Sequence, residues 1–292
     1  MAAQLFFAAL CSGALYALVA LGLNLVYGTL RLLNIAHGDL AMIGAYVAFV
    51  AFSTFGLAPP VSMVLAAGLC AAMGWALYAG IFRRLFATPE TAQRLEANSL
   101  ILFYGVSVIL QNVMALGFTS TARGYSYMGE VWRIGPVMAS GNRLLMLGTA
   151  LAICLGVLLV LRFHAFGWSL RAVIERREAA GIVGVNVDRV QGITIALGFA
   201  IAGVAGVLVS MTEQITPFMG FPLTIAAFVV IVLGGLGNIF AGIVAGFVLG
   251  FVETFGIALT SATYRSILIY GLFVTVLLLR PQGLFGKAIQ VR

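Results

Sequence analysis

The stretch Arg31 to Phe49, RLLNIAHGDLAMIGAYVAF, sets an amide, an imidazole and a carboxylate at Asn34, His37 and Asp39, and no further charge follows up to Phe55. These three types can shuttle protons, ligate a metal, or break a helix and hydrogen-bond a passing solute. Metal and catalytic chemistry need further partners. Cys11, Cys70 and Cys154 lie inside apolar segments without CxxC spacing, which indicates neither a metal site nor a disulfide framework. There is no HExxH and no pair of membrane-embedded carboxylates, and the other histidine, His164, stands far along the chain. No nucleophile is singled out for a serine hydrolase. GLFGK at Gly283 to Lys287 lacks the spacing and the Ser/Thr of a phosphate-binding loop, so any ATP is expected on another chain.

Two further acids belong to the inventory. Glu213 sits in TEQITPFMGFP, Thr212 to Pro222, and Glu253 lies within an apolar segment. Ionisable residues inside spans are costly and are functional candidates by default. With Asn34, His37 and Asp39 they are read as lining or gating a polar path. Each has a plainer reading: Asp39 as an anion at a helix N-terminus, where the dipole favours it, and His37 as a satisfied interfacial hydrogen-bonder.

The elements that must position these residues are membrane helices. At 62% hydrophobic and 9% charged residues the chain is far from a soluble globule, whose charged share is about 25%. Spanning helices need roughly 20 apolar residues. Segments of this kind run from Leu5 to Tyr27, Leu40 to Phe55, Pro60 to Phe82, Ser99 to Phe118, Leu144 to Leu161, Ile193 to Met211, Phe221 to Leu236, Ile239 to Leu259 and Ser266 to Leu279. The expected fold is therefore all-α, one polytopic transmembrane bundle over residues 1–292. It has nine spans, or eight if the chain around Gly234 to Asn238 forms one span plus a re-entrant piece. No Lys or Arg precedes Arg31, so the first segment lacks the basic region of a cleaved signal and is read as a retained helix.

Nine spans with the N-terminus outside place Arg31, Arg83, Arg84, Arg94, Arg162, Arg171, Arg176, Arg177, Arg189, Arg280, Lys287 and Arg292 inside, against Arg123, Arg133, Arg143 and Arg265 outside. That asymmetry follows the positive-inside rule and puts the C-terminus in the cytoplasm. The net charge of +7 is then a topology signal, and no nucleic-acid partner is expected.

Two loops stand out. The external one, 119–143, is rich in Gly, Ser, Tyr and Trp and is expected to form a partly ordered cap. The internal one, 162–191, is the most polar part of the chain. Ser169 can cap a short amphipathic helix carrying Leu170, Val173 and Ile174, with Gly181 as its stop, and Asn186 can cap the next span. That helix either contacts a partner or lies on lipid headgroups. Gly242, Gly246 and Gly250 form a GxxxGxxxG ladder, a face that lets a neighbouring backbone approach. Ala41 to Gly56 and Ala241 to Gly256 share a weak similarity, a trace of possible duplication.

Four segments carry a family resemblance: GLNLVYGTLRLLNIAHGDLAMIGAYVAF (Gly22 to Phe49), REAAGIVGVNVDRV (Arg177 to Val190), VVIVLGGLGNIFAGIVAG (Val229 to Gly246) and LLLRPQGLFG (Leu277 to Gly286). With them the chain resembles, over nearly its whole length, the permeases of the branched-chain, or hydrophobic, amino-acid ABC importers of the LivH type. The resemblance implies a second, related permease, two cytoplasmic ATPase subunits and a periplasmic solute-binding protein, in a bacterial inner membrane. No cofactor is implied. EAAGIVG, Glu178 to Gly184, is similar to the EAAxxxG element by which importer permeases dock on their ATPases, without the Leu-Pro of its fullest form. The resemblance thus implies that Ala179, Ala180, Gly181 and Gly184 seat the loop in a cleft while Arg176, Arg177 and Glu178 make charged contacts. It leaves open same-family transport of urea or short amides, and a stand-alone secondary transporter is the rival from another class.

Overall fold

The computed structural model describes residues 2–87, 92–280, 283 and 284. Lys287 and Arg292 of the charge pattern lie outside the described residues. In chain order the elements begin with α1 (Ala2–Leu30), α2 (His37–Phe55) and α3 (Pro59–Leu77), the last continued by a π-helical turn (Tyr78–Phe82) into α4 (Arg83–Ala87). Next come α5 (Ala92–Phe118), a hairpin of β1 (Val131–Ile134) and β2 (Val137–Ser140), and α6 (Gly141–Phe163). Two short helices follow, α7 (Ala165–Glu175) and α8 (Arg177–Ile182). The rest is α9 (Val187–Ser210), α10 (Gly220–Gly234), α11 (Ile239–Leu259) and α12 (Arg265–Leu279). Among the described residues eight helices are long and apolar enough to cross a membrane, and α10, at 15 residues, is a shorter apolar helix.

The centre of the bundle is α1 and α9, both largely buried, with α2, α3, α10 and α11 packed around them. Lipid offers no hydrophobic drive between helices, so close backbone contact through small residues has to supply the packing. Gly22 of α1 and Gly198 of α9 meet face to face, and a Cβ on either would lie 2.7 Å from the other's carbonyl oxygen. The Gly242, Gly246 and Gly250 ladder lies along α1, where added Cβ atoms would meet Asn24, Ala17 and Gly13.

The two ends of the bundle differ. At one, Gln4 brackets the β2 backbone, donating to the Met138 carbonyl at 2.9 Å and accepting from its N–H at 2.8 Å. At the other lie α7 and α8, with Ile174 close to Gly28 near the end of α1. Between Ser210, bonded to Tyr125 near the hairpin, and Gly237, which contacts Gly28, the chain passes from one end to the other. The 15 residues of α10 cover only roughly 22 Å of that passage. Residues 211–219 complete it in irregular form, so the described residues traverse the bundle nine times.

Local signals set the element ends. Gly56, left-handed at φ 64°, closes α2, and Pro59 and Pro60 open α3. Asn186 caps α9, its side chain accepting from the Arg189 N–H at 3.0 Å. The internal loop departs from the expected single helix. Arg176 is extended and splits it into α7 and α8. His164 caps α7 by accepting from the Phe166 N–H, while Ser169 lies inside the helix and donates back to the Ala165 carbonyl. Gly181 falls within α8, and the left-handed turn that follows is at Gly184.

Candidate translocation site

The chain before α2 explains why the span starts where it does. Arg31, left-handed at φ 56°, ends α1, and residues 31–34 return along the bundle without helical structure. The helix resumes at His37, whose Nε2 donates to the Val19 carbonyl at 2.9 Å. Val19 lies three turns, roughly 16 Å, before the end of α1, so α2 begins deep inside the bundle and not at its mouth. A second span counted from Leu40 puts His37 and Asp39 near its inner mouth. The structure puts them deeper because the connecting segment is extended and climbs about twice as far per residue as a helix.

The N-terminus of α10 arrives at the same place from the opposite direction. A Cβ on Gly38 would fall 1.9 Å from the Gly220 carbonyl oxygen, and one on Gly220 would fall 2.4 Å from Asp39 Oδ1. The Gly38 N–H donates to Thr224 Oγ1 at 2.8 Å, and that hydroxyl is 3.0 Å from the Ile35 carbonyl. Two broken crossings thus meet head to head, pinned by one threonine.

Asp39, in the first turn of α2, is 1% exposed. Its carboxylate accepts from Ser107 Oγ and from Gln111 Nε2, the latter at 3.1 Å, both on α5. It therefore combines the dipole role with an interhelical tie. Asn34 is fully buried, and neither its amide nitrogen nor its oxygen finds a protein partner; His37 Nδ1 is likewise unpartnered. Irregular backbone at membrane depth persists only where protein or a polar cavity satisfies it, and these orphan atoms mark where that satisfaction is incomplete.

The other two acids stand elsewhere. Glu253 is buried on α11 and ion-paired with Arg265 at the start of α12, while Arg265 also donates to the Tyr16 hydroxyl at 3.2 Å. Glu213 is exposed at the hairpin end and adds its charge to the field at Arg265. Among the described residues neither is bonded to the α2–α10 junction. Its neighbours Ser107, Gln111 and Thr224 escape a search for ionisable residues, although Gln111 inside an apolar run was a readable sign.

At the hairpin end, Arg123 and Ile215 form a two-bond antiparallel bridge at 2.9 and 2.8 Å, and Asn142 Nδ2 donates to the Met211 carbonyl at 2.9 Å. Residues 119–143 are thereby stitched to residues 211–219, the irregular half of the second broken crossing. Tyr125, half-buried against Phe52 and Ser210, has its hydroxyl pushed above its usual pKa by burial.

At the opposite end Arg176, Arg177, Glu178, Ala179, Gly181 and Gly184 are exposed, and Ala180 packs inward. Arg177 lies over the Phe86 ring at 4.6 Å. Ile182 and Val183 are 87% and 77% exposed, an apolar tip that the sequence reading did not single out. Asp188 begins α9 as acceptor from Tyr78 Oη at 2.7 Å and ion partner of Arg83 at 3.3 Å. α9 therefore runs from this loop to the irregular segment that feeds α10.

This architecture has known relatives. A family profile described as the permease component of the branched-chain amino acid transport system matches residues 5–277. The high-affinity branched-chain amino acid transport system permease protein LivH of Escherichia coli (strain K12) is 31% identical over 97% of this chain and 95% of its own length. The corresponding protein BraD of Pseudomonas aeruginosa is 32% identical over 94% of this chain and 92% of its own. A probable LivH of Methanocaldococcus jannaschii is 27% identical over 93% and 89%. No solved structure matches. A profile spanning nearly the whole chain, with relatives above 30% identity end to end, shows that the chain belongs to the branched-chain amino acid transport permeases.

Proposed function

We propose that the chain is the permease subunit of an ATP-driven importer of branched-chain, hydrophobic amino acids in a bacterial inner membrane. It forms half of the translocation pathway beside a second, homologous permease. Two cytoplasmic ATPase subunits dock on α8 and its flanks, and a periplasmic solute-binding protein delivers substrate at the hairpin end. The N-terminus is then outside and the C-terminus cytoplasmic. The excess of arginines at the end carrying α7 and α8 agrees with this orientation, and the relatives' names favour branched-chain substrates over urea or amides.

The observation that carries the reading is the junction of α2 and α10. Two helices broken at depth meet at Gly38 and Gly220 and form a constriction that can part, and α9 links it to the exposed α8. Asn34, His37 and Asp39 act there in gating. Glu213 and Glu253 serve the outer end, Glu253 through its tie to Arg265. On α8, Ile182 and Val183 supply the buried contact with the ATPase, framed by Arg176, Arg177 and Glu178.

The test is co-purification of the tagged chain from its host. Two ATPase subunits and a second permease are expected with the wild type, and Ile182→Asp is expected to lose the ATPases while keeping the second permease. Recovery of the chain alone, moving solute into vesicles without ATP, would overturn the importer reading.

A further inference from the structure

At the end of the bundle that carries α7 and α8, α3 finishes in a feature that the α2–α10 junction does not use. The turn Tyr78–Phe82 is π-helical, one residue wider than the regular ladder, and such bulges frequently mark functional sites. It aims Tyr78 at the first turns of α9. The phenol is buried, and its ring lies against the bare Gly192, where an added Cβ would fall 2.9 Å from Tyr78 Cδ1. At that position α9 has no side chain to fix the ring along the helix.

The Tyr78 hydroxyl has one proton and two acceptors within reach. It donates to Asp188 Oδ1 at 2.7 Å and stands 3.3 Å from Gln191 Oε1. The acceptors are three residues apart on one face of α9, roughly 4.5 Å along its axis. A slide of α9 along α3 by less than that distance lengthens one contact as it shortens the other. Helix shifts of about 1–2 Å are the ordinary scale of switching movements. Gln191 is 1% exposed and its Nε2 finds no partner among the described residues, a reservoir of strain in the arrangement seen.

Both sides of this contact reach α8, and α9 reaches the junction. Asp188, in the first turn of α9, follows α8 after a short connection and pairs with Arg83 at 3.3 Å. Arg177, at the start of α8, lies over Phe86 of α4 at 4.6 Å. Farther along α9, a Cβ on Gly206 would fall 1.7 Å from the Ala41 carbonyl oxygen, so α9 is seated on α2 two residues past Asp39. We propose that Tyr78 is a positioning residue for transport, a latch whose hydrogen bond passes between Asp188 and Gln191 as α9 slides against α3. Movement of α8 is thereby carried to the first turns of α2. The proposal rests on the reading that the ATPases dock on α8.

The test is reconstitution of the full complex in vesicles, with solute uptake and ATP hydrolysis measured together. Tyr78→Phe keeps the ring and is expected to keep the ATPases bound and hydrolysing. Its uptake per ATP is expected to fall about fivefold, the factor that one net hydrogen bond carries. Gln191→Leu leaves the Asp188 bond as it stands and is expected to show the same fall, whereas a merely structural role for Tyr78 predicts the wild-type ratio there. Asp188→Asn, which keeps an acceptor for the hydroxyl, is expected to retain most of that ratio. An unchanged ratio in Tyr78→Phe or in Gln191→Leu would overturn the latch and leave the importer reading standing. Loss of the ratio in Asp188→Asn alone would assign the coupling to the Arg83 ion pair and overturn the latch as well. Wild-type uptake that proceeds without ATP would overturn the importer reading itself.

Discussion

Glu253 and Asp39 are both buried carboxylates in membrane helices, yet their surroundings give them different work. Asp39 is held by neutral donors on α5, whereas Glu253 is matched to the cation Arg265 on the next helix in the chain. An ion pair of this kind ties α11 to α12 near the hairpin end, and removing its cation leaves a buried anion without compensation. Arg265→Ala is therefore expected to destabilise the purified protein by about 2 kcal/mol, below a fully buried pair because Arg265 is half exposed. Adding Glu253→Gln is expected to recover most of the melting temperature and of substrate uptake. A double variant that melts normally and still fails in uptake would instead place Glu253 in the path. The sequence makes such acids conspicuous by their rarity in apolar runs, but it does not say which one has a counter-ion. Arg265 is 12 residues away in sequence, across a turn, and only the fold brings the two together.

At the scale of elements, the breaks are legible and their depth is not. Helix-breaking residues at Asn34 to Asp39 and Thr212 to Pro222 announce interrupted helices, and both interruptions are present. Nothing in either segment reveals that the two helix N-termini meet, because that depends on how far each irregular segment travels before its helix resumes. The meeting is close enough to test. Gly38→Ala sets a methyl 1.9 Å from the Gly220 carbonyl, a backbone atom on another helix that cannot swing aside. Uptake is expected to fall at least tenfold with the complex still assembled, while Gly148→Ala, placed in open space, is expected to transport normally. Equal uptake by both variants would show that the junction does not open and close during transport. The segment of α7 and α8 shows the same in smaller form. Asn186 acts as the cap its residue type suggests, but Arg176, with no turn-forming chemistry of its own, divides the helix because α7 packs inward through Leu170 and Val173 while α8 points away.

At the scale of the molecule, α1, an irregular segment and α2 are answered by α9, an irregular segment and α10, running the opposite way. Gly22 and Gly198 touch reciprocally at the centre, and the two half-depth helices diverge from Gly38 and Gly220 toward opposite ends. This is the inverted arrangement common in transporters, where one motion exposes a central site to either side. It differs from the similarity between Ala41 to Gly56 and Ala241 to Gly256, which fall on α2 and α11, helices that run in the same direction. Composition in an Ala-, Gly- and Val-rich chain produces such matches, whereas the true correspondence survives in backbone path more than in residue identity. Between the hairpin and α8 the chain crosses once, through α6, so the two must face opposite compartments. The three native cysteines are buried, which leaves a quiet background for labelling. In intact cells opened only at the outer membrane, Trp132→Cys on the hairpin is expected to react with a membrane-impermeant maleimide. Ile182→Cys is expected to react only after the inner membrane is permeabilised. Labelling of both from one side would mean that α6 does not cross the membrane, and would overturn the orientation in which the hairpin faces outward and α8 meets cytoplasmic ATPases.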